Sequence, residues 1–240
     1  MNPFDFPPIA AILSAAETAL LALGAVTTAA GAVVIVTLAV RALLIPVGVS
    51  MAKAAQGRRR LAPRLAELQK RYKKNPEKLQ KETMALYAAE KVSPFAGCLP
   101  MLAQLPVVSL VYALFAYPTI AGEPNQLLDA SLFGAGLGRH LIDVTSGFQP
   151  SDLVFPVLLL VLGVVAWLNR RMALRDAPPL SEGAPAVPGA ALMDPRGPLS
   201  WMPFAVLIAA AVVPLAATLY LAVSGLWSHL ERRILRARHA

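Results

Sequence analysis

The stretch VVIVTLAVRALLIPV, residues 33–47, carries one arginine inside an apolar run. Arg41 is the residue of this chain with most to explain. The next basic residue, Lys53, lies twelve positions further on, about 18 Å along a helix. An arginine at the centre of a bilayer costs roughly 2.5–3.5 kcal/mol on insertion scales, and snorkelling relieves mainly charges near an interface. No counter-ion is at hand. Asp5 and Glu17 precede the run, Glu123, Asp129, Asp143 and Asp152 fall in or beside a later loop, and the other eight carboxylates lie in basic segments. The economical solution is a polar cavity reached by water. Thr37 stands one turn from Arg41 on the same face, and Gln104, Asn169, Thr218, Tyr220 and Ser224 sit in or at the ends of other apolar runs. Two plainer readings stand beside this one. Arg41 could bond backbone carbonyls freed by Pro46 or Pro106, and Thr37, Thr218 and Ser224 could each bond their own helix.

Other chemistry is not supported. His140, His229 and His239 lack metal-ligand spacing, and no phosphate-cradling glycine loop or serine nucleophile signature occurs. The single cysteine, Cys98, cannot form an internal disulfide and reads as a small packing residue. The expectation is a protein that is not an enzyme, with no metal and no cofactor.

The elements that must position Arg41 are apolar. The 240 residues are 57% hydrophobic, against roughly 45–50% in soluble domains. Mean hydropathy is +0.59, and only 15% of residues are charged although the net charge is +8. That describes a polytopic membrane protein with clustered basic residues. Residues 1–26 read as an outer segment in which PPIAAILSAAETALLAL forms an interfacial amphipathic helix. No Lys or Arg precedes Arg41, so the basic region of a cleaved signal is missing and the first span is expected to be retained. Spans are expected at 27–49, 94–117, 152–168, 199–213 and 215–229, the last two separated at Pro214 because one helix of that length would overshoot a bilayer.

Between the first two spans, residues 50–92 read as a basic helical hairpin. Leu61, Leu65, Leu68 and Tyr72 recur at helical spacing, Asn75-Pro76 breaks the pattern, and Pro76 with Glu77 suits the start of a second helix. Arg58, Arg59, Arg60 and Arg64 would attract anionic lipid headgroups or ribosomal RNA, or serve only as a topology determinant. Residues 118–151 form an outer loop, 169–198 a flexible inner loop rich in Pro, Gly and Ala, and 230–240 a basic tail. The segments 52–91, 169–198 and 230–240 hold twenty of the 22 basic residues. The positive-inside rule therefore puts the N-terminus outside and the C-terminus inside, and five spans satisfy that parity.

SPFAGCLPMLAQLPVVSLVYALF, residues 93–115, resembles the YidC family of membrane-protein insertases: Pro94, Gly97, Cys98, Leu99, Pro100, Gln104 and Pro106 match its pattern, with Ser93 in place of the usual Asn. LAPRLAELQKRYKKNPEKLQKETMALY resembles the family's cytoplasmic hairpin, with Pro63, Tyr72, Gln80, Met84, Leu86 and Tyr87 in register. VTLAVRALLIP is similar to its first core span, where the family keeps a groove arginine at the place of Arg41, and PLAATLYLAVSGLW to the hairpin between its last two spans. Tyr220 is followed by Leu221, where the family often has a second aromatic.

The resemblance implies an all-α integral membrane fold of five transmembrane helices around a hydrophilic groove, with a cytoplasmic helical hairpin, in the compact form of many Gram-positive bacteria. It implies a groove open to cytoplasm and lipid but closed outside, lined by Arg41, Thr37, Gln104, Asn169, Thr218 and Tyr220. The expected location is the bacterial cell membrane. The expected partners are nascent membrane-protein substrates, the ribosome and targeting machinery, the Sec translocon and anionic lipids. The hairpin contacts would be Arg58, Arg59, Arg60, Arg64, Tyr72, Met84 and Tyr87. The alternatives are a secondary transporter of an anionic solute, for which no paired repeat is found, and a membrane scaffold for ribosomes, which needs the hairpin but no wet groove.

Overall fold

The computed structural model describes residues 6–72, 75–90, 99–120, 122–175 and 197–239. Ser93 to Cys98 of the family motif, and most of the expected inner loop at 169–198, lie outside them. So do the side chains of Gln104, Arg58 and Arg59.

Helix α1 (Pro7–Val26) opens on two prolines, tolerated because first-turn N–H groups have no intrahelical acceptor. The chain breaks at Thr27-Thr28. The Thr28 hydroxyl then accepts from Gly31 N at 3.0 Å and caps α2 (Ala29–Leu43). Pro46 sets the next boundary. It disfavours helix in the residue before it but suits a first turn, so α2 stops at Leu43 and α3 (Ile45–Arg71) starts with Pro46 in its first turn. The helix runs on without a break past residue 49, the expected inner end of the first span. The joint falls at Leu44, and one helix leads from the apolar run into the basic hairpin.

The second hairpin helix, α4 (Pro76–Ala89), is capped by Asn75, whose Oδ1 accepts from Lys78 N at 3.0 Å. An exposed Arg64–Glu90 ion pair of 2.5 Å closes the hairpin, and the Lys78 ammonium lies 5.2 Å from the centre of the Tyr72 ring. An exposed pair of this kind contributes about 0–1 kcal/mol. The hairpin holds its shape through helix propensity and capping more than through burial.

Helix α5 (Leu99–Ala116) runs through Pro106. Its last carbonyls would otherwise be orphaned, but Asn125 Nδ2 donates to Leu114 O at 2.7 Å and Tyr117 O at 2.9 Å. The loop beyond α5 is packed. Antiparallel two-residue pairs β1 (Thr119–Ile120) with β2 (Glu123–Pro124), and β3 (Ser131–Leu132) with β4 (Ala135–Gly136), alternate with 3-10 turns. The tight β3–β4 turn passes through Phe133 and Gly134, both at positive φ, where a glycine is least strained. Leu127, Ala135 and Leu137 are completely buried.

Helix α6 (Val154–Arg175) is succeeded, after the undescribed stretch, by a 3-10 turn (Pro198–Phe204), α7 (Ala205–Val212) and α8 (Leu215–His239). The packed loop grips the α7–α8 corner: Leu215 N donates to Arg139 O at 2.8 Å and Ala216 N to Leu137 O at 3.0 Å. Two of the first N–H groups of α8, which lack helical acceptors, are thereby satisfied. The loop is itself fastened by Arg139 Nη1 to the buried Asp152 Oδ1 at 2.9 Å.

Helix α8 is the centre of the bundle, packed on α2, α3, α5, α6 and α7. Pro214 to Tyr220 are all buried. Small residues permit the approach: Ala216, Ala217 and Ala222 are almost fully enclosed, and a Cβ on Gly225 would lie 3.4 Å from Val165 of α6. The tail expected at 230–240 continues α8 through His239. Among the described residues, Pro7–Val26 and Pro150–Arg175 are long and apolar enough to cross a membrane, with Ala29–Leu43 and Ser200–Val212 as shorter apolar helices.

Candidate functional site

Arg41 sits in the last turn of α2 and is half-buried. Its partner is Ser224 of α8: Nε donates to Ser224 Oγ at 2.9 Å, and Nη2 donates to the same oxygen. Ser224 is 3% exposed, and it lies ten residues past Pro214, about 15 Å along α8. That distance is about half the thickness of a hydrocarbon core, which is roughly 30 Å. Of the five guanidinium N–H groups, two are used here. Among the described residues no main-chain carbonyl and no carboxylate takes the other three.

Tyr220, one turn earlier on α8, places its hydroxyl beside Ser224 and within the field of Arg41. Arg41, Ser224 and Tyr220 thus form one cluster across the α2–α8 seam. Towards the basic end, the same seam continues one heptad down both helices. Gly48 of α3 meets the Glu231 carboxylate of α8 so closely that an added Cβ would collide with it. Between these levels Trp227 Nε1, and at the lower one Glu231 Oε1, are buried atoms with no hydrogen-bond partner among the described residues. Such orphaned groups are rare, and each calls for an explanation. The sequence reading did not single out Trp227 or Glu231 as site residues. The available signal was their helical spacing from Ser224, at three and seven positions.

The remaining residues expected in the groove divide. Thr37 is buried, and its hydroxyl donates to Val33 O of its own helix at 2.6 Å. Thr218 is fully buried and donates to Ala210 O at 3.2 Å and Pro214 O at 3.3 Å, tying the α7–α8 corner. Gln104 belongs to α5. Asn169 stands at the α6–α8 seam, where its Oδ1 accepts from Arg232 Nη2 at 2.9 Å and lies 3.0 Å from His229 Nδ1. That level is about 8–12 Å beyond Ser224 along α8.

The basic end is crowded with positive charge. Much of the Arg232 side chain is exposed, yet enclosure of its guanidinium against α6, and then the charges of Arg236 and Arg41, hold it below the ordinary arginine value. An arginine titrates so high that it stays charged regardless, so the consequence is mutual repulsion among these charges. On the hairpin, Arg60, Arg64 and Met84 are exposed and Tyr72 and Tyr87 half-buried, apart from the Arg41 cluster.

The chain is 42% identical over 81 residues to the membrane protein insertase YidC of Clostridium perfringens, covering 34% of each chain. It is 41% identical over 111 residues to the protein of that name in Oceanobacillus iheyensis, covering 40% of this chain and 44% of that one. With the Zymomonas mobilis protein of the same name it shares 29% over 163 residues, 63% of this chain but 27% of that one. The aligned part is thus between about a quarter and under half of those relatives. The model of the 60Kd inner membrane protein family matches residues 22–240; the chain belongs to that family, the YidC family of membrane proteins.

Proposed function

We propose that the chain is a membrane-protein insertase working in a bacterial cell membrane. Clients enter by a hydrophilic groove along the α2–α8 seam. The observation that carries this reading is a half-buried guanidinium in an apolar helix with three N–H groups that find no acceptor, and no fixed counter-ion, among the described residues. The orphaned Trp227 and Glu231 atoms on the same seam support it, since a polar path offers them partners.

In this reading five spans cross the bilayer: α2 with the start of α3, α5, α6, the 3-10 turn with α7, and α8 as far as His229. Helix α1 lies along the outer surface; its packing against β1, the 126–129 turn and α5 supports that placement. The N-terminus is outside, and the hairpin and the end of α8 are inside. The packed loop gripping the α7–α8 corner closes the outer end, so the groove opens inward and to lipid.

Arg41 attracts acidic residues in the leading segment of a client. Water in the groove lowers the cost of bringing them part-way across. The client's apolar helix then partitions into lipid at roughly 25 cal/mol per Å² buried, which supplies the driving force. A membrane potential positive outside pulls negative tails outward by about 2.3 kcal/mol per charge per 100 mV. The basic hairpin receives the client, its ribosome or the targeting machinery, and the Sec translocon is a second partner for larger clients.

The test is accessibility. An Arg41→Cys variant in a Cys98→Ser background, treated with a water-soluble thiol reagent, is expected to react from the cytoplasmic side only. No reaction from either side would reject the groove.

A further inference from the structure

A shallow, open cleft of about 360 Å³ lies on α6, lined by Leu159, Leu160, Gly163, Val164 and Trp167, and by Phe204 from the 3-10 turn. These residues lie on the side of α6 away from the buried Leu158, Leu162, Val165 and Ala166, so the cleft does not share the Arg41 seam. Gly163 opens its wall: a Cβ there meets no atom within 4 Å.

One end of the cleft is cationic. Arg171 lies over the Trp167 ring at 5.2 Å. Trp201 packs on Phe204 with ring centres 5.3 Å apart, and Arg170 lies 4.3 Å over Trp201 while its Nε donates to Ser200 Oγ at 3.4 Å. Stacking on an indole fixes the plane of a guanidinium and leaves its edge N–H groups free to bind an oxyanion. Neither arginine meets a carboxylate among the described residues. An apolar slot that ends at two oriented guanidiniums suits a ligand with an apolar tail and an anionic head.

We propose that this cleft binds one anionic phospholipid, an acyl chain lying over Gly163 and the phosphate group held by Arg170 and Arg171. A client helix fits it less well. The slot runs from Leu159 to Trp167, about 12 Å, whereas a spanning helix needs roughly 30 Å of support. The site rests on the chain's residence in a membrane and not on the insertion mechanism.

The test uses the full chain reconstituted in liposomes with equal amounts of phosphatidylcholine and phosphatidylglycerol, extracted into detergent and weighed with its retained lipids by native mass spectrometry. Wild type is expected to keep one phosphatidylglycerol in preference to phosphatidylcholine. Gly163→Leu, which adds bulk where a Cβ meets open space, and Arg170→Gln with Arg171→Gln should each lower that retention about tenfold. Arg41→Ala should leave it unchanged. Equal retention of the two lipids, undiminished retention in Gly163→Leu, loss in Arg41→Ala, or a photocrosslink from position 164 to a client helix in place of lipid would each overturn the site.

Discussion

Gly48 on α3 lies directly against the Glu231 carboxylate on α8, seven residues beyond Arg41 and Ser224 on their respective stretches. Two contacts spaced by one heptad on both partners mean that α2–α3 and α8 run side by side in the same direction. The upper contact is polar. The lower depends on a residue with no side chain.

Gly48→Leu is therefore expected to displace the Glu231 side chain, whose flexible end is what a Cβ would meet, and to destabilise the bundle by about 1 kcal/mol, the low end of the overpacking range. Combining it with Glu231→Ala should recover most of the loss, because the obstacle is that carboxylate. Thermal unfolding in detergent of the two single variants and the double variant reads the coupling. Strict additivity would show that the two residues do not press on each other.

Arg41→Ala should lower insertion of a client with an acidic leading tail at least about tenfold, equivalent to 1.4 kcal/mol. Arg41→Lys, which keeps the charge, should retain most activity. Protease protection of a short single-span client in liposomes measures both. A fully active Arg41→Ala on that client would refute the electrostatic role.

Ser224→Ala removes the hydroxyl that orients Arg41. Hydrogen bonds to charged groups are worth about 1.5–3 kcal/mol, part of which water in the proposed groove would return. A several-fold drop in insertion is expected, and little further drop when it is added to Arg41→Ala. If the two losses multiplied instead, Ser224 would be acting independently of Arg41.

Asp152→Asn breaks an ion pair whose acidic side chain is fully buried, leaving Arg139 uncompensated at about 3 kcal/mol. The loop should release the α7–α8 corner. Faster proteolysis between residues 117 and 153 from the side proposed as the outer one, with a lower unfolding temperature, would be seen. An unchanged protease pattern would remove that loop as the outer closure.

Deleting residues 53–90 should abolish insertion while the protein still fractionates with membranes, since the hairpin makes few contacts with the bundle. A working deletion variant would reduce the hairpin to a topology signal.

Much of this was legible in the residues. Asn75-Pro76 marks the hairpin turn because a side-chain acceptor and a missing N–H both favour a helix start there. Charge counts mark which segments are basic because twenty cations in three blocks leave little choice. Arg41 stands out because an isolated charge in an apolar run is costly wherever the chain folds. Less legible was Thr218. A hydroxyl in a span can bond its own helix or line a path, and which it does depends on how close Ala210 of α7 comes.

Amino-acid order alone determined the helical, apolar character of the chain, its basic segments and the buried-charge problem at Arg41, because each arises from local transfer energies and local capping. Only the tertiary structure decided that the partner of Arg41 is a hydroxyl 183 positions away, that Asn169 pairs with α8 nearer the basic end, and that Glu231 rests on Gly48. These are contacts between distant parts of the chain, fixed by which helices pack side by side, and no spacing within a single run encodes them.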